Sequence, residues 1–209
     1  IVIRGAGGRN FSVGANLKEG HLAAEVGAET FSQQRIDVFN MIEALEKPVI
    51  AAIEGYCLGG GMELAMACHF RVAREDAQMG LPEIDLGMAP LWSGAARVLR
   101  LVGRARALEL LMMGTKLSAF DALEYGLVTD VYTEDEFDAA VADFSRELAS
   151  KAPLAVAAII KVINQSQDLP LAQALSAELE GFSHLAGTKD AIEGVAAMFE
   201  KRKPVFTGE

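Results

Sequence analysis

The chain has 209 residues, 51% of them hydrophobic and 23% charged, with a formal net charge of −10. That length supports a sizeable core for one large domain or a domain with an appendage, and the composition is that of a globular enzyme. The acidic balance argues against a broad nucleic-acid-binding surface, and no apolar run reaches the ~20 residues a membrane span requires.

In chain order, Ile1-Val2-Ile3 and the following Gly5-Ala6-Gly7-Gly8 predict a strand ending in a glycine-rich turn. The chain opens on this strand without a Met, so a preceding segment is expected to be missing. Phe11-Ser12-Val13-Gly14-Ala15-Asn16-Leu17 is a second small-residue stretch, where Gly14-Ala15 brings backbone N–H groups within reach of a ligand. Residues 18–30 are polar and carry Gly20 and Gly27, which predicts a mobile loop or a poorly formed helix. Ile36, Phe39, Ile42 and Leu45 have helical spacing, so residues 31–45 read as a helix ended by Lys47-Pro48.

The apolar run 48–53 reads as a buried strand. It is followed by Gly59-Gly60-Gly61 and a helix over 62–68. Residues 70–73 predict another strand. These alternating units point to an α/β domain with mainly parallel pairing. Residues 91–102 and 104–113 read as two helices separated by Gly103. Ser118 opens another as N-cap with Asp121 three residues on, and Gly126 ends it. After a strand over 128–132, helices are expected over 135–150, 153–167, 170–186 and 189–202. The composition shifts near residue 133, dividing an α/β core over 1–133 from a helical region over 134–209.

Three glycines at a strand-to-helix junction leave backbone N–H groups bare along a helix dipole, an arrangement that suits an anion or a developing oxyanion. Close helix–strand packing explains such a triplet equally well. Glu63 follows it, and Glu83 follows Pro82 twenty residues later, enough chain for a helix, a strand and a return to one cleft. Two glutamates beside an apolar pocket do not both ionise easily, which leaves one poised as acid and one as base. Most of the 29 acidic residues are surface charges. These two stand apart because each lies in a mainly apolar segment bounded by Gly or Pro. No P-loop, dinucleotide fingerprint or G-x-S-x-G is present, and His21, His69 and His184 lack metal-ligand spacing. Cys57 and Cys68 make neither a disulfide framework nor a zinc spacing and read as buried free thiols of a reducing, cytoplasmic setting.

The run from Lys47-Pro48-Val49-Ile50 through Gly59-Gly60-Gly61-Met62-Glu63-Leu64-Ala65 resembles the signature of the enoyl-CoA hydratase/isomerase (crotonase) family. So do residues 11–17, Gly80-Leu81-Pro82-Glu83-Ile84-Asp85-Leu86-Gly87, and the ending that holds Asp190-Ala191-Ile192-Glu193-Gly194 and residues 199–206. The likeness covers essentially the whole chain in the right order. It implies a crotonase-like spiral of ββα units with a C-terminal helical region for trimer formation, commonly a dimer of trimers. It implies an acyl-CoA thioester whose carbonyl oxygen lies between the N–H groups of Ala15 and Gly60. Ala15, Asn16 and Leu17 would line the CoA, Glu63 and Glu83 match the two glutamates of the hydratases, and Lys201 matches a basic position reaching the CoA. A solvated lysine at a helix end explains Lys201 as well.

On this reading Glu63 is the base on water and Glu83 the acid toward Cα, with no metal and no cofactor beyond the coenzyme A of the substrate. The alternatives are an isomerase using one glutamate and a non-catalytic or RNA-interacting scaffold. Three departures from the family pattern stand out. Asn16 replaces the usual Asp, and Leu91 and Trp92 are bulky where simple hydratases are glycine-rich, so they are expected to shape the acyl pocket. The strands and CoA-contacting loop that usually start the domain do not precede Ile1 here.

Overall fold

A computed structural model of the chain describes residues 1–19 and 27–209. Two compact units are present, one formed by residues 1–43 and 49–141, the other by 44–48 and 142–209. The composition shift at 133 falls just before the helix Glu134–Ala149, and the units divide within that helix.

The first unit is built on two sheets. Strand β1 (Val2–Ile3) leads, after a 3-10 turn (Leu17–Glu19), to helix α1 (Ala28–Glu43). The loop expected over 18–30 falls mostly on residues 20–26, outside the described residues. Strands β2 (Ile50–Ile53) and β3 (Tyr56–Leu58) follow, then helix α2 (Gly60–Ala67), β4 (Phe70–Arg74) and β5 (Gln78–Gly80). A 3-10 segment (Pro82–Leu86) precedes α3 (Gly94–Met113), β6 (Leu117–Ser118), α4 (Ala119–Glu124), β7 (Asp130–Tyr132) and α5 (Glu134–Ala149).

One sheet has the order β1-β2-β4-β7 and is parallel throughout, with Ile50 opposite Phe70 and Val72 opposite Asp130. Strand β2 is buried at every position, as its unbroken Ile-Ala-Ala-Ile run requires for a strand covered on both faces. The other sheet, β3-β5-β6, pairs Cys57 with Met79 in parallel and Met79 with Leu117 antiparallel. These strands hold two or three residues each, too few for an alternating pattern to show, and so the sequence reading passed over them.

The core gathers Val49, Ile53, Met62, Met79, Leu81 and Val98 from both sheets and the helices on them. Arg71 is buried here too. Its guanidinium donates to the carbonyls of Leu127 at 2.6 Å, Cys68 at 2.7 Å and Ala65 at 3.3 Å. It thereby supplies donors to the buried carbonyls of Leu127 and Cys68 and adds a second to that of Ala65, which already accepts the Cys68 N–H. As the sequence predicts, Gly103 separates two helices within the stretch labelled α3: at φ 73 and ψ 171 it is non-helical and kinks the element. Ser118 caps α4 in a full capping box with Asp121.

In the second unit, α6 (Pro153–Ser166) and α7 (Leu171–Phe182) pack together. Gly181 permits the close approach, since a Cβ there would lie 2.3 Å from Val162 Cγ2. Helix α8 (Lys189–Glu200) follows a 3-10 turn (Leu185–Gly187). Buried Asp190 accepts the backbone N–H groups of Thr207 at 2.7 Å and Gly208 at 2.9 Å, which ties down the C-terminal tail. Among the described residues no helix is long and apolar enough to cross a membrane.

Candidate active site

The first unit carries a cavity of about 600 Å³, and the glycine triplet forms one of its corners. Strand β3 runs beside Ser12, whose carbonyl accepts Leu58 N–H at 2.9 Å, so residues 11–15 lie along the start of α2. Contact is intimate. A Cβ on Gly14 would sit 2.9 Å from Gly60 N, and Gly14 adopts φ 90. Gly59, at φ 54, is the N-cap of α2, and a Cβ there would meet Glu83 Oε1 at 2.9 Å. Only glycine satisfies both the backbone conformation and the approach of the carboxylate. The amide N–H groups of Ala15 and Gly60 meet no acceptor among the described residues, and both residues line the cavity.

Glu63 occupies the first turn of α2 and is only 2% exposed. Its Oε1 accepts two backbone N–H groups, from Trp92 at 2.9 Å and Gly94 at 2.8 Å. The carboxylate therefore stands at the N-terminus of α3, where the helix dipole favours negative charge. Burial nevertheless pushes its pKa up to about 7, opposed by the two amides and assisted by nearby Glu83. The second oxygen, Oε2, accepts no hydrogen bond from the described residues, which leaves it for chemistry. Glu83 comes from the 3-10 segment after β5. Burial raises its pKa as well, and its Oε2 is buried with no hydrogen-bond partner among the described residues.

Trp92 closes one wall. Its ring lies directly over Gly60, where an added Cβ would be 2.2 Å from Trp92 Cζ3. The ring also meets Phe31 at 6.3 Å and Phe39 at 6.5 Å between centroids. Behind it, buried Arg97 bonds Ser93 Oγ at 2.9 Å and Asn40 at 2.8 Å and pairs with Glu43 at 2.6 Å. This cluster holds the turn before α3, and with it the two amides on Glu63.

The structure brings Ala15, Asn16, Leu17, Gly60, Glu63, Glu83, Leu91 and Trp92 to this one cavity. Asn16 Oδ1 accepts Lys18 N–H at 3.2 Å, a local turn. Lys201 belongs to the other unit, where it is exposed just past α8 with φ 54. Sequence reasoning missed Gly94 as a holder of Glu63, since a backbone amide leaves no mark in a sequence. It also missed Phe31 and Arg35. Their spacing of four on one helix was the available signal.

Other conspicuous groups are structurally committed. His69 accepts Val49 N–H through Nδ1 at 2.9 Å and faces the Glu43 carbonyl through Nε2 at 3.0 Å, which makes it a neutral tether. Buried Glu54 pairs with Arg4 at 3.1 Å and Arg74 at 3.4 Å. Cys57 and Cys68 are free and buried. Among the described residues no three His, Cys, Asp or Glu side chains are placed to hold a metal ion.

The model of the enoyl-CoA hydratase/isomerase family matches residues 1–209. The chain belongs to that family. Of its curated members, a probable enoyl-CoA hydratase of Bacillus subtilis is 40% identical over 100% of this chain and 81% of its own length. The 2,3-dehydroadipyl-CoA hydratase of Escherichia coli is 39% identical over 96% of this chain and 78% of its own. The crystal structure of an enoyl-CoA hydratase from Bacillus anthracis superimposes with a TM-score of 0.95 at 38% identity, covering 100% of this chain and 81% of that one. The two-sheet unit with its C-terminal helices is thus the crotonase fold expected from the sequence.

Proposed function

We propose that this member of the family is an enoyl-CoA hydratase, adding water across the 2,3 double bond of a 2-enoyl-CoA thioester. The observation that carries the reading is the meeting of Glu63 and Glu83 at one cavity with two acceptor-free backbone amides, those of Ala15 and Gly60. The thioester oxygen accepts from both amides. Water attacks Cβ, Glu63 Oε2 takes its proton, and the π electrons move onto the carbonyl oxygen as an enolate. Loss of one preorganised donor of this kind typically costs about 3–4 kcal/mol of barrier. Glu83 then delivers a proton to Cα as the enolate collapses. The proton on Glu63 exchanges with solvent and Glu83 is reprotonated, which restores the pair.

The division of roles follows from the hydrogen bonds. Two amides stabilise charge on Glu63, whereas no donor among the described residues meets Glu83 Oε2, so the hydrogen bonds favour Glu63 as the base although burial raises its pKa too. Water and these side chains complete the balance, so no metal or cofactor is needed beyond the coenzyme A of the substrate. Leu91 and Trp92 supply apolar walls for the acyl group, and Ala15, Asn16 and Leu17, which line the same cavity, are assigned to the CoA. Lys201 is assigned to the CoA phosphates.

We further assign self-association as a trimer or a dimer of trimers. The support is the apolar surface of the second unit, where Leu171, Leu179, Met198 and Phe199 are each more than 60% exposed, an exposure that signals an interface. Sedimentation equilibrium tests it, and a monomer at micromolar concentration would refute it. Two buried free thiols agree with a reducing, cytoplasmic setting.

Loss of the conjugated thioester absorbance, followed with crotonyl-CoA and longer 2-enoyl-CoAs, tests the reaction. A second reading rests on the breadth of the family, which includes isomerases. Double-bond migration that persists in Glu63→Gln or in Glu83→Gln, without hydration, would favour it.

A further inference from the structure

Among the described residues three charged side chains line the cavity: Glu63, Glu83 and Arg35. The carboxylates are absorbed by the proposed chemistry; the guanidinium is not. Arg35 is half-buried on α1 with its guanidinium carbon 3.2 Å from the Phe31 ring centroid and 5.3 Å from that of Trp92. Its Nη1 donates to the Phe31 carbonyl at 2.7 Å. Neither Nε nor Nη2 meets an acceptor, and no carboxylate pairs with it, among the described residues. The other partly or fully buried arginines facing carboxylates are matched, Arg74 with Asp76 at 2.7 Å and Arg97 with Glu43 at 2.6 Å. Arg35 is instead held by two aromatic faces, which orient the cation without neutralising it.

We propose that Arg35 is a specificity residue that selects acyl groups ending in a carboxylate. This rests on the hydratase reading of the same cavity. The Trp92 ring touches Gly60 on one flank and lies beside Arg35, so an enoyl chain running from the thioester along that ring delivers its distal end to the guanidinium. A planar fork with unused donors matches a carboxylate in two-point geometry. The ionised Glu63 at the reacting end repels a second anion there, which fixes the orientation of a dicarboxylate chain. A neutral chain end would leave the Arg35 charge unmatched in an apolar pocket, a costly arrangement.

The test compares 2,3-dehydroadipyl-CoA with 2-hexenoyl-CoA, which share chain length and differ in the terminal group, in the wild-type protein, Arg35→Met and Arg35→Lys. The expected result is a kcat/KM ratio favouring the carboxylate substrate by about tenfold or more, collapsing in Arg35→Met and partly retained in Arg35→Lys. Equal ratios in wild type and Arg35→Met would overturn the proposal. An equal loss for both substrates would do the same, as it would place Arg35 on the CoA phosphates. Calorimetric binding of adipyl-CoA against hexanoyl-CoA separates this from the hydratase reading. An Arg35-dependent preference in binding without turnover of either enoyl thioester would sink hydration and keep Arg35, whereas turnover without any preference would do the reverse.

Discussion

Glu63 and Gly94 meet through a 2.8 Å hydrogen bond, in which the amide at the start of α3 donates to a carboxylate on the first turn of α2. With the Trp92 amide it commits Oε1 and leaves Oε2 with no donor among the described residues. Ser93, the N-cap residue of α3, makes no side-chain cap, so Glu63 takes over that task from another helix. A site acid and a helix terminus therefore fix each other's position.

Gly94→Ala tests this link. The new Cβ would lie 2.8 Å from Glu63 Oε1 and 2.6 Å from Pro90 Cβ, both too close to be tolerated without a shift. We expect kcat to fall about 10²-fold with a smaller change in KM, as for an ångström-scale displacement of a catalytic group. Steady-state kinetics check it, with circular dichroism to confirm the fold.

The pH profile of kcat/KM should be bell-shaped. Glu63 must be ionised to act as base, and burial raises its pKa to about 7, so the rate falls on the acid side as Glu63 takes up a proton. Glu83 must hold a proton, and its pKa is also raised by burial, so the rate falls once that proton is lost. Glu63→Gln should abolish the rising limb and Glu83→Gln the falling one, each with a loss of about 10²–10⁴-fold in rate.

Stability should carry the same signature. The fold holds a proton on Glu63 more tightly than the unfolded chain does, because burial raises the pKa from 4.5 to about 7. The stabilisation is therefore present below the unfolded value and is lost as pH rises from there through 7. Glu63→Gln escapes this loss. Relative to wild type it should gain up to about 3 kcal/mol between pH 4.5 and pH 8, at about 1.4 kcal/mol per unit. Urea melts at the two pH values measure it.

Gly60→Ala should set the oxyanion donor against the acyl wall, because its Cβ would lie 2.2 Å from Trp92 Cζ3 and 2.6 Å from Cε3. A marked fall in kcat is expected, with partial rescue by Trp92→Leu. The double-mutant cycle should show strong coupling, and additive effects would place the ring elsewhere.

Arg71→Met should destabilise without touching the cavity. It strips donors from the buried carbonyls of Leu127 and Cys68, at about 1–3 kcal/mol for each group left unsatisfied. Denaturant unfolding should show a loss of a few kcal/mol.

Residue types and order determined much of this protein. The unbroken apolar run of β2, the Ser118 capping box and the helical spacing of α1 are local signals, and each is legible because the physics acts within a few residues. The glycine triplet and the two glutamates were legible as well, through charges and bare backbone in otherwise apolar segments. The tertiary structure alone decided what depends on distant backbone. The short strands of the second sheet exist because β3 and β5 find each other, which their own three residues apiece cannot signal. Glu63 loses one oxygen to amides of residues 92 and 94, and amides are common to nearly all residue types. Arg35 reads in sequence as an ordinary helix charge. Only the fold sets it against Phe31 and Trp92 at the cavity wall, with no carboxylate among the described residues to answer it.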